Sequence, residues 1–219
     1  MTTRIQFTEE MARLDHDILA MGTKVGEDLR KSLLALRSGD ASLAKEVKAD
    51  DELVNALQLK IEDQAAVLIA TQQPVAHDLR VLVAVFKVTD NLERAGDYSV
   101  HLAKTAIKLS KEPQFRQALH LEKMAETGAE MIQKAVEAYL NHDASAARQA
   151  ALLDDGIDHE HKALLQDVLE VIKAHPEQAD LASKLIKTSG YLERLGDHMT
   201  NLCEAVVFME EGRHVELNE

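Results

Sequence analysis

Two stretches of this sequence carry carboxylates at a spacing suited to holding a cation. In the first, Asp90, Glu93 and Asp97 follow one another three and four residues apart, with His101 next in line. In the second, Glu193 and Asp197 are followed by Asn201 and Glu204. On an α-helix such residues share one face. Like charges at i and i+4 cost a helix ~0.2–0.5 kcal/mol per pair. The pair Glu/Asp at this spacing occurs twice, which asks for a compensating positive charge. Hard cations take carboxylate oxygens, and acids on adjacent turns can bridge more than one ion. Asp51 in one upstream segment, and Asp154 and Asp158 in another, are further candidate ligands, with His161 three residues beyond Asp158. Gly96 and Gly196 sit between the acids of each pair and let a neighbouring backbone or an ion shell come close. A plainer description also fits: a solvated acidic face screened by cations such as Arg94 and Arg194. Helical geometry alone leaves both readings open.

The elements that position these residues follow from what interrupts the chain. Only three prolines and nine glycines punctuate 219 residues, and aromatics are 3%. So few breakers fit long helices, not many short strands with tight turns. Pro74, Pro113 and Pro176 mark three breaks, since proline stops a helix or starts one. Ser38–Ser42 and Asn141–Ser145 mark two softer ones, each with an Asp or Ser suited to capping the next helix. The expected helices are 8–37, 42–71, 75–110, 114–141, 145–174 and 177–211, each about 40–50 Å long at ~1.5 Å per residue.

The breaks repeat. Asp40-Ala41-Ser42 recurs as Asp143-Ala144-Ser145, and Asp51, Val54 and Asn55 answer to Asp154, Ile157 and Asp158, all at an offset of 103. Pro74 answers to Pro176 at 102, and Leu92-Glu93-Arg94-Ala95-Gly96-Asp97 to Leu192-Glu193-Arg194-Leu195-Gly196-Asp197 at 100. Four ordered matches at nearly one offset indicate a duplicated three-helix unit, joined near Pro113. The third helix carries an apolar seam through Val81, Val85, Val88, Leu92, Ala95, Ser99, Leu102, Ala106 and Leu109. The sixth carries another through Leu185, Thr188, Leu192, Leu195, Met199, Leu202, Val206 and Met209. Such steps of three and four belong to antiparallel bundles. Each acidic stripe lies opposite its seam, so the acids are expected to point out of the bundle. The fold class is all-α.

Charge and composition narrow the function. Thirty-eight acids against 25 Lys and Arg give a net charge of −13, which disfavours a nucleic-acid partner, whose affinity rests on clustered cations. The excess acid suits metal cations or a basic protein surface. The single Cys203 excludes an intramolecular disulfide and a CxxC zinc site, and reads as a packed thiol. The N-terminal residues show no secretory signal, and the longest apolar run, Val81–Phe86, is too short to span a bilayer. A cytoplasmic location is expected. Asp158-His159-Glu160-His161 reads as polar helix surface, Asp78 as the acid of a helix start, and the seven methionines as core fillers. GxxxxGK[ST], GxSxG and HExxH are absent, and the one ExxH pair, Glu211 to His214, falls in a ragged tail. Nothing here points to an enzyme.

At the duplicated LERxGD, the Glu-xxx-Asp stripes, and Gln73-Pro74 leading to Asp78-Leu79-Arg80, the sequence resembles the PhoU family of phosphate-transport regulators over about residues 7–212. The resemblance implies two tandem three-helix bundles with pseudo-twofold symmetry, here 1–112 and 113–219. It implies a negative regulator of phosphate uptake and the phosphate-starvation response, acting between the ATPase subunit of the phosphate ABC transporter and a sensor histidine kinase. Through these partners it would reach the membrane peripherally, as a homodimer. It also implies a multinuclear metal cluster of iron, or of zinc, manganese or magnesium, on Glu93 and Asp97 and on Glu193 and Asp197. Asp90 extends the first motif, whereas Gly190 offers no ligand in the second, and His101 stands where the copy has Asn201. The alternative is a metal-free helical module whose acidic faces dock a basic partner.

Overall fold

The computed structural model describes residues 2–109 and 118–218. Within them the secondary structure is helical: α1 (Thr2–Ser38), α2 (Ala41–Gln72), α3 (Ala76–Leu109), α4 (Ala118–Leu140), α5 (Ala144–Ala151), α6 (Asp154–Ala174) and α7 (Ala179–Glu211). The junction near Pro113, and with it the boundary at 112/113, lies outside the described residues.

The expected caps are in place. Asp40 accepts the backbone N–H of Ser42 at the start of α2, and Asp143 accepts those of Ser145 and Ala146 at the start of α5. Each side chain satisfies donors that a helix N-terminus leaves open. Before Pro74, Gln73 closes α2 in the left-handed region. Pro176 opens a short 3-10 turn, Pro176–Gln178, that leads into α7.

One expected helix is two. The segment 145–174 divides at Leu152 and Leu153, where Leu153 N–H bonds Ala150 O and Gly156 N–H bonds Leu153 O, each three residues back. Both leucines keep right-handed helical angles, so the chain tightens by a step without reversing. No proline marks the place, and Gly156 falls just beyond the step, which is why the sequence pattern runs through it. The first helix also begins earlier than expected, at Thr2.

The two units do not pack as separate beads. α1, α3, α7 and α4 form a closed ring in which each helix packs on the next, with α2 flanking α1 and α3, and α5 and α6 flanking α4 and α7. One apolar core runs through both units, from Val25, Leu29, Val88 and Leu92 to Met131, Ile132, Leu195 and Met199. Every seam residue of α3 and α7 is buried. So are Leu82, Ala84, Gly96 and Ala103 beside the first seam, and Ala182, Gly196, Cys203 and Ala205 beside the second. A two-position seam underestimates them because both helices sit in the middle of the molecule. Each fully buried large aliphatic contributes about 1.5–3 kcal/mol. Met21, Met124, Met131, Met199 and Met209 are core residues, and Cys203 is a buried thiol.

Contacts between α3 and α7 display the pseudo-twofold axis. Asn91 Oδ1 meets His198 Nδ1 at 2.8 Å, and the symmetry-related pair, Tyr98 and Tyr191, stacks with centroids 6.0 Å apart. Burial follows the same symmetry, with Leu92–Val100 and Leu192–Thr200 alternating buried, half-buried and exposed in the same order.

Candidate metal centres

In each unit two helices carry acids that act on one another electrostatically, although among the described residues no three of their donor atoms lie within 4.8 Å of one another. In the first, α2 supplies Asp51 and Asn55, and α3 supplies Glu93 and Asp97. In the second, α6 supplies Asp154 and Asp158, and α7 supplies Glu193 and Asp197. Every one of these side chains is half-buried except Asp154, which is buried at 8% exposure. The stripes are thus not fully solvated: Asp90 and Asn201 are exposed, while the paired acids are half-buried. The flanking helices α2 and α6 pack close enough to cover the acids in part, which the seam of a single helix does not register.

The electrostatics are those of crowded acids that nearby cations screen only in part. Burial raises the Glu93 carboxyl above its ordinary range, with repulsion from Asp97, Asp90 and Asp51 adding to it and Arg94 opposing. Burial and then Asp97 raise Asp51. In the second cluster burial pushes Asp154 up to about 7, helped by Asp197 and Asp158. Glu193 and Asp197 are raised as well, first by burial and then by neighbouring acids. Three oxygens at these places are buried without a hydrogen-bond partner: Asn55 Oδ1, Glu93 Oε2 and Asp154 Oδ1. A buried polar oxygen without a partner carries its full desolvation cost. The donor set is oxygen-rich and anionic, and it fits a hard or borderline cation.

The two clusters differ in their surroundings. Arg94 reaches both acids of the first, at 3.6 Å from Glu93 and 3.3 Å from Asp97, so screening by cations is real on that side. In the second, Lys162 pairs with Asp158 at 2.8 Å, and the chain after α7 folds back over the stripe. Leu217 N–H donates to Glu204 and Asn218 Nδ2 donates to Asp197 at 3.2 Å. The tail expected to be ragged is therefore ordered. Its ExxH pair is not one, because Glu211 binds Arg148 and His214 stacks on Phe208 at 4.4 Å.

Other candidates take different positions. Asp90 is exposed and, with Asn201 and Glu204, lines a polar groove between α3 and α7 that also contains Asn91 and His198. His101 leaves the acidic line to stack on Tyr191, with centroids 4.1 Å apart. His161 Nδ1 contacts Ser189 Oγ at 3.0 Å, and Glu160 joins His120 and Lys123. Asn55 carries no charge, so a pattern of acids does not include it. Its signal was its match to Asp158 in the repeat.

A duplicated helical unit, each copy presenting acids near the surface, defines an all-α repeat protein. The sequence profile of the PhoU domain matches residues 18–106 and again 121–206, and the chain belongs to the PhoU family. It is 31% identical to a Thermotoga maritima protein named phosphate-specific transport system accessory protein PhoU homolog 1, over 98% of this chain and 93% of that one. It is 32% identical to the Streptococcus pneumoniae homolog of the same description, over 98% of this chain and all of the other. The crystal structure of PhoU from Pseudomonas aeruginosa superposes with a TM-score of 0.89 at 29% identity, covering 94% of this chain and 100% of that one. The phosphate transport system regulatory protein PhoU from Streptococcus pneumoniae superposes at 0.88, covering 95% and 99%. No helix among the described residues is long and apolar enough to cross a membrane.

Proposed function

We propose that this protein is a negative regulator of phosphate uptake and of the phosphate-starvation response. In this reading it is a non-enzymatic, metal-binding cytoplasmic adaptor between the ATPase subunit of a phosphate ABC transporter and a sensor histidine kinase. The observation that carries the metal part is the pair of partly buried carboxylate clusters with unpartnered oxygens at Glu93, Asn55 and Asp154. The phosphate part rests on family membership and on the names of the relatives. Asp51, Asn55, Glu93 and Asp97 would hold metal in one unit, and Asp154, Asp158, Glu193 and Asp197 in the other. Bound cations would supply positive charge that cancels the repulsion among these acids and changes the sign of the surface a partner meets. The helices hold the ligands in place through the shared core. A homodimer would present four such clusters.

The test is genetic and biochemical together. Deleting the gene is expected to derepress phosphate-scavenging genes under plentiful phosphate. The wild-type protein should restore repression, and pull-down should recover the transporter ATPase or the kinase. Unchanged expression after deletion would count decisively against the regulatory role.

A second reading is favoured by Arg94 spanning Glu93 and Asp97. Here the acidic faces dock a basic partner without metal. Salt then weakens the complex, because exposed charges are screened, and a chelator leaves it unchanged.

A further inference from the structure

The geometry points to a separate divalent-metal site, of the zinc class, built from His77, His142 and Glu210 where the two units meet. The three side chains come from three places far apart in sequence: the first turn of α3, the turn between α4 and α5, and the last turn of α7. Their donor atoms all lie within 4.8 Å of one another. Glu210 Oε1 is 2.8 Å from His142 Nδ1 and 3.7 Å from His77 Nε2. The two imidazoles stand 5.6 Å apart and tilted. Zinc binds nitrogen and oxygen at ~2.0–2.2 Å in a tetrahedron, which places adjacent donors about 3.3 Å apart. The two separations from Glu210 straddle that value and the two histidine donors lie within 4.8 Å, so modest side-chain rotations would close the triangle on an ion. Two imidazoles and one carboxylate also suit a late first-row cation better than calcium or magnesium.

Two further features argue for a built site. First, His142 has φ of 53°, and its counterpart one residue before the equivalent cap, Gly39, has φ of 70°. Asp40 and Asp143 fix that correspondence. The other copy places glycine at this turn. A histidine there accepts left-handed backbone strain of order 1 kcal/mol and in return aims a ring at Glu210. Second, the carboxylate's backbone is held in place. Arg80 donates to Met209 O at 3.0 Å and to Glu210 O at 3.5 Å, tying the end of α7 to the start of α3. The site shares no residue with the acidic clusters and does not depend on them or on the phosphate reading. An ion here would pin the N-terminal end of α3 to the C-terminal end of α7, locking the two units at one end of the ring.

The probe is Zn2+, titrated against a chromogenic chelator into protein whose stripes are neutralised by Glu93→Gln, Asp97→Asn, Glu193→Gln and Asp197→Asn. That protein is expected to keep one Zn2+ equivalent and to gain thermal stability from it. Adding His142→Gly, which suits the left-handed turn, or His77→Ala should weaken the affinity at least ~10-fold and abolish the thermal gain. Cobalt in place of zinc should give the intense visible bands of tetrahedral nitrogen and oxygen coordination, lost in the same variants. Zinc affinity unchanged by both histidine substitutions overturns the site, as does absence of zinc from a stripe-neutral protein with native helicity. If the stripe-neutral protein does not fold, the comparison is made between wild type and His142→Gly. Loss of one equivalent then supports the site, and equal stoichiometry overturns it.

Discussion

The Asp154 carboxylate rests directly over Gly196: a Cβ placed on Gly196 would collide with Asp154 Oδ1 and come within 3.1 Å of Ile157 Cδ1. The repeat-equivalent Gly96 faces no carboxylate, its nearest neighbour being Val54 Cγ1 at 3.4 Å. The helical step at Leu152 and Leu153 immediately precedes Asp154, whereas α2 runs uninterrupted past Asp51. Two units with the same motif thus seat one acid deeply and the other at half burial.

Substitution of the two glycines should separate them. Gly196→Ala must displace a buried carboxylate and crowd Ile157, and is expected to cost about 1–2 kcal/mol despite alanine's better helix propensity. Gly96→Ala meets only an ordinary contact and is expected to be neutral or to stabilise by up to ~1 kcal/mol. Urea unfolding of the two variants beside wild type measures both. Equal effects would refute the asymmetry.

The raised Asp154 carboxyl gives the metal-free protein a pH dependence of known sign. An aspartate in the unfolded chain loses its proton near 3.8, and Asp154 in the folded protein near 7. The native state therefore holds an extra proton between these values. Its relative stability is full below about pH 4 and declines as pH rises toward 7. Asp154→Asn removes a charge that burial and Asp197 both oppose. It should stabilise chelator-treated protein by about 1–3 kcal/mol at pH 8 and by little near pH 4. Thermal melts across that range decide it. A variant destabilised at pH 8 would show that the carboxylate is compensated.

Elemental analysis of untagged protein purified without chelator tests the clusters. Stoichiometric iron, zinc or manganese is expected in wild type. It should fall in a variant with Glu93, Asp97, Glu193 and Asp197 changed to Ala, the remainder being that held by His77, His142 and Glu210. The same acid substitutions should raise metal-free stability, since each removes like-charge repulsion. Metal content unchanged by the four substitutions would move the cations away from the stripes.

The α3–α7 contact should be coupled through its aromatics. Tyr191 stacks on both His101 and Tyr98. Tyr98→Leu and Tyr191→Leu, singly and together, form a double-mutant cycle expected to give a coupling of about 0.5–1.5 kcal/mol. A coupling near zero would mean that the rings contribute by burial alone.

Much of this architecture is written in local pattern. Pro74 and Pro176, two capping aspartates and the offset of 100–103 residues determine how many units there are and where most helices begin, because caps and breakers act on backbone groups a few residues away. The seams mark residues that are buried, since helical periodicity is local as well. The spacing of Glu93 with Asp97, and of Glu193 with Asp197, places each pair on one face wherever that helix packs. Tertiary structure decided the rest. It covered the acids with α2 and α6, closed α1, α3, α7 and α4 into a ring with one core, and seated Asp154 over Gly196. It also turned His101 onto Tyr191 and brought His77, His142 and Glu210 within reach of one ion. These depend on which faces of distant helices meet, and residues 65 and 68 positions apart share no periodicity that could announce it.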